Sequence, residues 1–326
     1  MEPIAPLRLV VLMPVYDDWP SGRLLIEKLD AVLEGVSVVA SVVLIDDASL
    51  TPPPSRLSER PLKNIQSVER LRLRRNLGHQ RAIAIGLCFV QKERDCDAVL
   101  VMDADGEDRA EDVPRLLGRY LAFNGDRVVF AERKRRSESL VFRVFYHLYR
   151  ALHRVLTGLP VKVGNFSVLS RDHVATLSVV SELWNHYAAA VYKARLPVGL
   201  MPTHRGTRLA GQSKLNFVSL VIHGLSAISV FAETVGVRLM LGIGTLMILC
   251  LLVVGAVIAV RFGTALAIPG WATSAVGLLL ILVLQMLTLV AGLTFSVLFN
   301  RNNLTFLPIR DYRYFVREIS ILHGKP

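Results

Sequence analysis

The chain has 326 residues, of which 52% are hydrophobic and 20% charged, and its formal net charge at pH 7 is +11. A disordered chain is excluded, because disorder requires low hydrophobicity, and the two percentages together indicate that apolar and charged stretches are segregated. The three cysteines, Cys88, Cys96 and Cys250, lack the spacing of a metal site or a disulfide framework. They are interpreted as buried apolar side chains in a reducing compartment.

Short apolar runs in the first part of the chain predict buried strands. They cover residues 7–13, 41–45, 98–102 and 127–131. Helical stretches such as 22–33 and 80–90 lie between them, and this alternation predicts a mostly parallel α/β sheet covered on both faces. Neither the glycine-rich fingerprint of dinucleotide-binding proteins nor a P-loop occurs in the sequence.

Polar residues follow several of these predicted strands, where ligands bind in open α/β sheets. They are Tyr16, Asp18, Asp46, Asp47, Asp103 and Asp105. Alternation along the chain places Asp103 and Asp105 on one side, so that their carboxylates converge. Hard oxygen ligands of this kind suit Mg²⁺ or Mn²⁺, and Glu107 is a third candidate ligand. An acidic surface loop is the alternative interpretation.

Two long uncharged stretches, 239–260 and 277–299, predict a transmembrane hairpin. The loop between them carries Arg261 alone, whereas the tail 300–326 and the N-terminal region are basic. This asymmetry predicts that both termini lie in the cytoplasm.

A helical wheel over residues 142–156 separates a basic stripe from an apolar one. The basic stripe consists of Arg143, His147, Arg150 and Arg154. This pattern is typical of a helix in a membrane interface, although a surface helix packed on the core fits it equally well. Residues 215–235 predict a second, juxtamembrane amphipathic helix.

Seven motifs stand in the order typical of one family. They are PVYDD (14–18), VLIDDAS (43–49), RRNLGHQRAIAIGL (74–87), DADGED (103–108), FAER (130–133), GNFSVLSR (164–171) and RGTRLAGQSK (205–214). The chain resembles family 2 glycosyltransferases of the GT-A fold, in particular dolichyl-phosphate mannose synthases and bacterial polyprenyl-phosphate glycosyltransferases. The resemblance implies a Rossmann-like catalytic domain over residues 1–214, facing the cytoplasm and followed by the juxtamembrane helix 215–235 and the hairpin.

The resemblance also implies roles for individual residues. Pro14, Tyr16 and Asp18 would line the nucleotide pocket, with Asp46 or Asp47 at the base or ribose. Asp103, Ala104 and Asp105 would meet the ribose and the diphosphate, with a metal on Asp103, Asp105 and Glu107. Arg133, Arg208 and Lys214 would hold phosphates, which suits the fork of arginine and the point charge of lysine.

Two positions depart from the family pattern. Glu107 stands where relatives commonly have glutamine, and Asn165 replaces the aspartate of the family's G-D-F motif, which has been proposed as a base. A phosphate monoester has its second pKa near ~6, so it needs positioning and charge compensation rather than deprotonation. Asn165 therefore favours a lipid-phosphate acceptor over a hydroxyl.

The implied activity is metal-dependent, inverting transfer of a hexose from a nucleotide sugar to undecaprenyl or dolichyl phosphate. The β-linked product would serve cell-envelope glycan or glycoconjugate synthesis at the cytoplasmic membrane, and relatives include a tetramer.

A processive polysaccharide synthase is an alternative, but the Q-x-x-R-W segment and additional spans that it would need are not found. A catalytically silent membrane adaptor is the other alternative. Asn165 favours this adaptor, whereas the D-x-D motif, Arg208 and Lys214 argue against it. Nucleic-acid binding is disfavoured, because the basic residues are interleaved with membrane-facing aromatics.

Overall fold

The computed structural model describes residues 5–58, 60–133, 150–158, 163–211, 217–264, 270–302 and 306–324. The chain divides into two compact units. The first contains Met1–His147, Val161–Val230 and Phe306–Pro326, and the second contains Leu148–Pro160 and Phe231–Thr305. The C-terminal segment therefore belongs to the same unit as the N-terminal strands.

The eight described strands of the first unit form one sheet. They are β1 (Leu7–Val15), β2 (Val38–Asp46), β3 (Ile65–Leu73), β4 (Ala98–Val101), β5 (Val128–Arg133), β6 (Ser167–Ser170), β7 (Val198–Thr203) and β8 (Val316–Gly324). Their order is β7-β5-β6-β4-β1-β2-β3-β8. β1 pairs in parallel with β2 and β4, β2 pairs in parallel with β3, and β5 does so with β7. β6 and β8 run antiparallel to their neighbours, so the predicted mostly parallel α/β sheet is confirmed.

The described helices of this unit are α1 (Trp19–Val32), α2 (His79–Glu93), α3 (Val113–Leu121), α4 (Arg171–Ser178), α5 (Tyr187–Lys193), α6 (Phe217–Ser229) and the short α9 (Pro308–Asp311). Helices α1 and α3 pack on one face of the sheet, and α2, α4 and α5 pack on the other. Single 3-10 turns occur at Ala110–Asp112, Ser181–Trp184 and Tyr312–Phe315. The central strands are apolar along their length because their residues are buried on both faces, as in parallel sheets generally.

β3 lacks the apolar run that revealed its neighbours in the sequence. It reads IQSVERLRL, and its charged residues Glu69 and Arg70 are nonetheless buried. Each has a charged partner on another element, because Arg94 donates to Glu69 and Arg70 donates to Asp46. Buried charges persist only when they are paired in this way, and the pairing partners are distant in the sequence.

The second unit contains two long apolar helices, α7 (Ala232–Gly263) and α8 (Trp271–Asn302). Both are long and apolar enough to cross a membrane, and few residues of their most apolar stretches are buried, unlike those of core helices in soluble proteins. They pack closely where a Cβ at Gly236 would lie 2.6 Å from Val297. The predicted hairpin segments 239–260 and 277–299 fall within these helices.

The predicted interfacial helix lies partly outside the described residues. Residues 142–149 are not described, and residues 150–157 are helical. Arg238 of α7 donates to the backbone oxygen of Val155 at 2.8 Å. Of the predicted juxtamembrane helix 215–235, the structure has α6, with exposed Ile222 and Leu225, followed by the start of α7.

Candidate active site

The carboxyl ends of β1, β2 and β4 meet at one edge of the sheet. Val15 is opposite Asp46 in the register of β1 and β2, and Leu12 is opposite Val101 in that of β1 and β4. The segments that follow these strands therefore lie side by side. They carry the predicted site residues Tyr16, Asp18, Asp46, Asp47, Asp103, Ala104 and Asp105.

Arg208 lies between two of these carboxylates. Its Nη2 is 2.5 Å from Oδ1 of Asp18, and its Nη1 is 3.3 Å from Oδ2 of Asp105. Its Nε donates to the backbone oxygen of Ala210 at 3.1 Å, so the guanidinium is held by its own segment as well. The structure thus brings together three predicted site residues that are far apart in the sequence.

Asp105 is surrounded by more negative than positive charges. Burial raises the pKa of Asp105 above its usual range, and the carboxylates of Asp103 and Glu107 raise it further. The backbone N–H of Glu107, 2.9 Å from Oδ1, and the charge of Arg208 oppose this rise. A cation bound beside Asp105 would offset both the burial and the repulsion.

This imbalance fits a divalent cation on Asp103 and Asp105, whose oxygens are the hard ligands that Mg²⁺ and Mn²⁺ prefer. Within the described ranges, no group of three or more histidine, cysteine, aspartate or glutamate side chains is arranged to hold a metal ion. Glu107, the third predicted ligand, has a cationic partner of its own. Oε2 of Glu107 accepts hydrogen bonds from Nε and Nη2 of Arg205 at 2.8 and 2.5 Å.

Asp46 and Asp47 are adjacent in the sequence but have different partners. Asp46 is fully buried, and its Oδ2 accepts from Nε and Nη2 of Arg70 at 2.8 and 2.5 Å. Asp47 accepts from the backbone N–H groups of Leu77 and Gly78 at 2.7 and 2.8 Å. Asp46 is therefore paired with a charge on β3, whereas Asp47 holds the loop that leads into α2.

Sequence reasoning missed Arg70, which is identified only by its partner. Its sole signal is the alternation of charged and apolar residues in R-L-R-L (70–73), which is the pattern of a strand with one polar face.

Asn165 belongs to a chain of hydrogen bonds that starts at the backbone of α5. The N–H of Tyr187 donates to Oε1 of Gln80 at 2.7 Å, and Nε2 of Gln80 donates to Oδ1 of Asn165 at 3.0 Å. Nδ2 of Asn165 then lies 2.9 Å from Nε2 of His79, which is also 3.0 Å from Oδ1 of Asp103. Burial acts to lower the pKa of His79, but the contact with Asp103 and the charges of Asp103, Asp108 and Asp105 together outweigh it and raise that pKa above its usual value.

Sequence reasoning also missed His79 and Gln80 as neighbours of the site. Their signal was the H-Q pair at the beginning of α2, inside the motif RRNLGHQRAIAIGL.

The structure describes the positions of some of the remaining predicted site residues but not of all. Pro14 lies within β1, opposite Ile45 of β2, and Tyr16 follows the same strand, half-buried. The predictions for Lys214 and for the side chain of Arg133 lie outside the described residues.

The sequence profile of glycosyl transferase family 2 matches residues 10–177. The chain is also similar to the undecaprenyl-phosphate 4-deoxy-4-formamido-L-arabinose transferases of Salmonella paratyphi A and Salmonella dublin. Each is 26% identical over 224 residues, which is 67% of this chain and 65% of the relative. The match thus spans slightly less than two thirds of the length of these relatives.

Among solved structures, the chain is similar to glucosyl-3-phosphoglycerate synthase of Mycobacterium tuberculosis, determined in complex with Mn²⁺ and uridine-diphosphate-glucose. The TM-score is 0.50 at 15% identity, and the alignment covers 71% of this chain and 80% of that chain. At this level of identity the likeness shows a shared fold.

Proposed function

Because the chain belongs to glycosyl transferase family 2, we propose that it transfers a sugar from a nucleotide-sugar donor to a polyprenyl phosphate at a membrane. The observation that carries this proposal is the position of Arg208 between Asp18 and Asp105, at the edge where β1, β2 and β4 end. The names of the Salmonella relatives support undecaprenyl phosphate as the acceptor class. The GT-A fold and the family resemblance expected from the motifs are confirmed.

The donor would occupy this edge of the sheet. Tyr16 and Asp18 would contact the nucleoside, and Arg208 would hold the diphosphate through charge-assisted hydrogen bonds. Asp103 and Asp105 would hold Mg²⁺ or Mn²⁺, which when bound supplies positive charge for the departing nucleoside diphosphate. Arg133 and Lys214 remain proposed phosphate ligands of the donor or the acceptor.

The acceptor would attack as a phosphate anion. One of its oxygens forms a bond with the anomeric carbon while the bond from that carbon to the donor diphosphate breaks, which inverts the configuration and makes a β-linked product from an α-linked donor. Asn165 cannot accept a proton, and none needs to be accepted, because a phosphate monoester with its second pKa near ~6 is largely a dianion at neutral pH. The role of the site toward this group is positioning and charge compensation.

The helices α7 and α8 would bring this site to the membrane that contains the lipid acceptor. Their length, apolar composition and exposure support membrane association. The distribution of basic residues favours a cytoplasmic location for the catalytic unit and both termini. The product would supply cell-envelope glycan or glycoconjugate synthesis.

The proposal is tested with the full chain purified in detergent, undecaprenyl phosphate, Mn²⁺ or Mg²⁺ and a panel of nucleotide sugars. We expect a glycosylated lipid phosphate from one donor, lost on metal chelation and reduced by about 100-fold or more in Asp105→Ala, the range for removing one electrostatic group from such a site. The matched control is Asp95→Ala, since Asp95 is an exposed carboxylate that pairs with Arg8 and Arg171 before β4 begins.

Two other outcomes would contradict the proposal, and each would favour one of the alternatives. Binding of a donor with metal but no transfer from any donor would favour the silent membrane adaptor. A polymeric product would favour a processive synthase.

A further inference from the structure

The segment 205–211, which carries Arg208, lies directly on the loop that carries Asp105. The N–H of Gly206 donates to the backbone oxygen of Glu107 at 2.8 Å, and the N–H of Leu209 donates to that of Asp105 at 3.0 Å. The two backbones are so close that a Cβ at Gly206 would lie 2.7 Å from the oxygen of Gly106. The position of Arg208 therefore depends on how this segment docks.

One ion pair joins the two stretches beside these backbone bonds. Arg205 donates through Nε and Nη2 to the same carboxylate oxygen of Glu107, and the two side chains are 38% and 21% exposed. A second contact anchors the far end of the segment, where Oγ of Ser21 donates to the backbone oxygen of Ala210 at 2.8 Å. Arg208 lies between these two anchors.

We propose that Glu107 and Arg205 are positioning residues that dock the segment 205–211 and thereby place Arg208. The inference rests on the proposed function, in which Arg208 holds the donor diphosphate. Both hydrogen bonds from the Arg205 guanidinium go to Oε2 of Glu107, so the ion pair ties the segment to the loop that carries Asp105.

The chemistry of the pair explains why a carboxylate stands at position 107. A carboxylate accepts charge-assisted hydrogen bonds from a guanidinium that are roughly twice as strong as bonds between neutral groups. Because the pair is partly exposed, it contributes little to global stability, as is usual for surface ion pairs. Its effect is local, on the fraction of molecules in which the segment is docked.

The experiment compares Glu107→Gln, Arg205→Gln and the charge exchange that combines Glu107→Arg with Arg205→Glu. Hydrogen exchange of the amides of Gly206 and Leu209 is measured by mass spectrometry on the full chain in detergent, without donor or metal. We expect faster exchange in both single variants and restored protection in the exchanged pair. Glu111→Gln is the matched control, since Glu111 forms an exposed ion pair with Arg109 at 3.4 Å.

Steady-state kinetics measure the consequence for the donor. We expect KM for the donor to rise about twofold to fivefold in each single variant, the range for an exposed ion pair, and to recover in the exchanged pair.

Two results would overturn the inference. One is exchange at Gly206 and Leu209 that is the same in the single variants as in the original chain, and the other is exchange that stays fast in the exchanged pair. Since the exchange measurement uses no substrate, it decides the docking of the segment even if no donor supports transfer and the proposed function fails.

Discussion

The direction of the Asn165 side chain is determined by one backbone amide. Because the N–H of Tyr187 can only donate, the side-chain atom of Gln80 that faces it must be Oε1, and Nε2 of Gln80 must face Asn165. The carbonyl oxygen of Asn165 is thereby occupied, and its Nδ2 is directed at His79. Asn165 is thus an oriented hydrogen-bonding group beside Asp103 rather than a base.

This geometry predicts the behaviour of Asn165→Asp. With a lipid phosphate as acceptor, we expect no increase in kcat, because the nucleophile is already ionised, and a modest decrease, because a carboxylate at position 165 would compete with Asp103 for Nε2 of His79. The measurement is the rate of lipid product between pH 6 and pH 8. An increase of about 100-fold, the contribution typical of a general base, would show that the acceptor requires deprotonation.

The helix α2 reaches the site because a glycine lets it pack deeply on the sheet. A Cβ at Gly86 would lie 2.6 Å from Cδ1 of Leu12 in β1 and 2.8 Å from Cδ1 of Ile45 in β2. The N-terminal residues of the same helix are His79 and Gln80. The depth at which α2 packs therefore determines where these two side chains meet Asn165 and Asp103.

Replacing this glycine tests the packing. Gly86→Ala should destabilise the protein by about 1–3 kcal/mol, as overpacking of a core does, despite the better helix propensity of alanine. Gly118→Ala in α3 is the control, since nothing lies within 4 Å of its Cβ position, and it should be neutral or stabilising by about 0.5–1 kcal/mol. Thermal unfolding in detergent measures both, and a Tm of Gly86→Ala equal to that of Gly118→Ala would contradict the prediction.

At the scale of the whole chain, the C-terminal segment supplies an edge strand, β8, to the sheet that the N-terminal strands form. β8 pairs antiparallel with β3, and Arg313 forms an ion pair with Glu93 of α2. The ring of Trp184 lies 4.3 Å from that of Phe306 and 4.8 Å from that of Phe315, measured between centroids. The two apolar helices are thus an insertion between segments of one unit.

Deleting residues 306–326 should therefore impair the first unit. The outer edge of β3 would lose its partner, and an unpaired strand edge promotes association between chains. We expect a lower Tm and a shift to larger species in size-exclusion chromatography, whereas deletion of residues 325–326, which follow β8, should change neither. Unaltered behaviour after the longer deletion would mean that β8 is dispensable for the sheet.

The topology of the membrane segment gives a further prediction. Thr264→Cys, between α7 and α8, should react with a membrane-impermeant maleimide in intact cells, and Tyr314→Cys should react only after permeabilisation, because basic residues favour the cytoplasmic side. Cys88, Cys96 and Cys250 are buried and free, so the unsubstituted chain should give low background. The reverse pattern of labelling would place the catalytic unit outside the cytoplasm.

Local sequence patterns were sufficient to predict the parts of this protein that are stabilised by burial. The apolar runs of β1, β2 and β4, the D-x-D motif at the end of β4 and the two long apolar helices are all visible as continuous stretches, because burial in a sheet or in a membrane selects the same residue types at successive positions. The order of the seven motifs was sufficient to identify the family.

Contacts between distant residues required the tertiary structure. The buried charges of β3 are accommodated because Glu69 meets Arg94 and Arg70 meets Asp46, and β8 lies in the sheet because it pairs with β3. The partner of Glu107 is Arg205, on another segment, and no local pattern predicts this pair. By itself the sequence determined the family, the sheet and the hairpin, whereas only the fold decided which charges meet, because an ion pair depends on distance in space and leaves no periodic pattern along the chain.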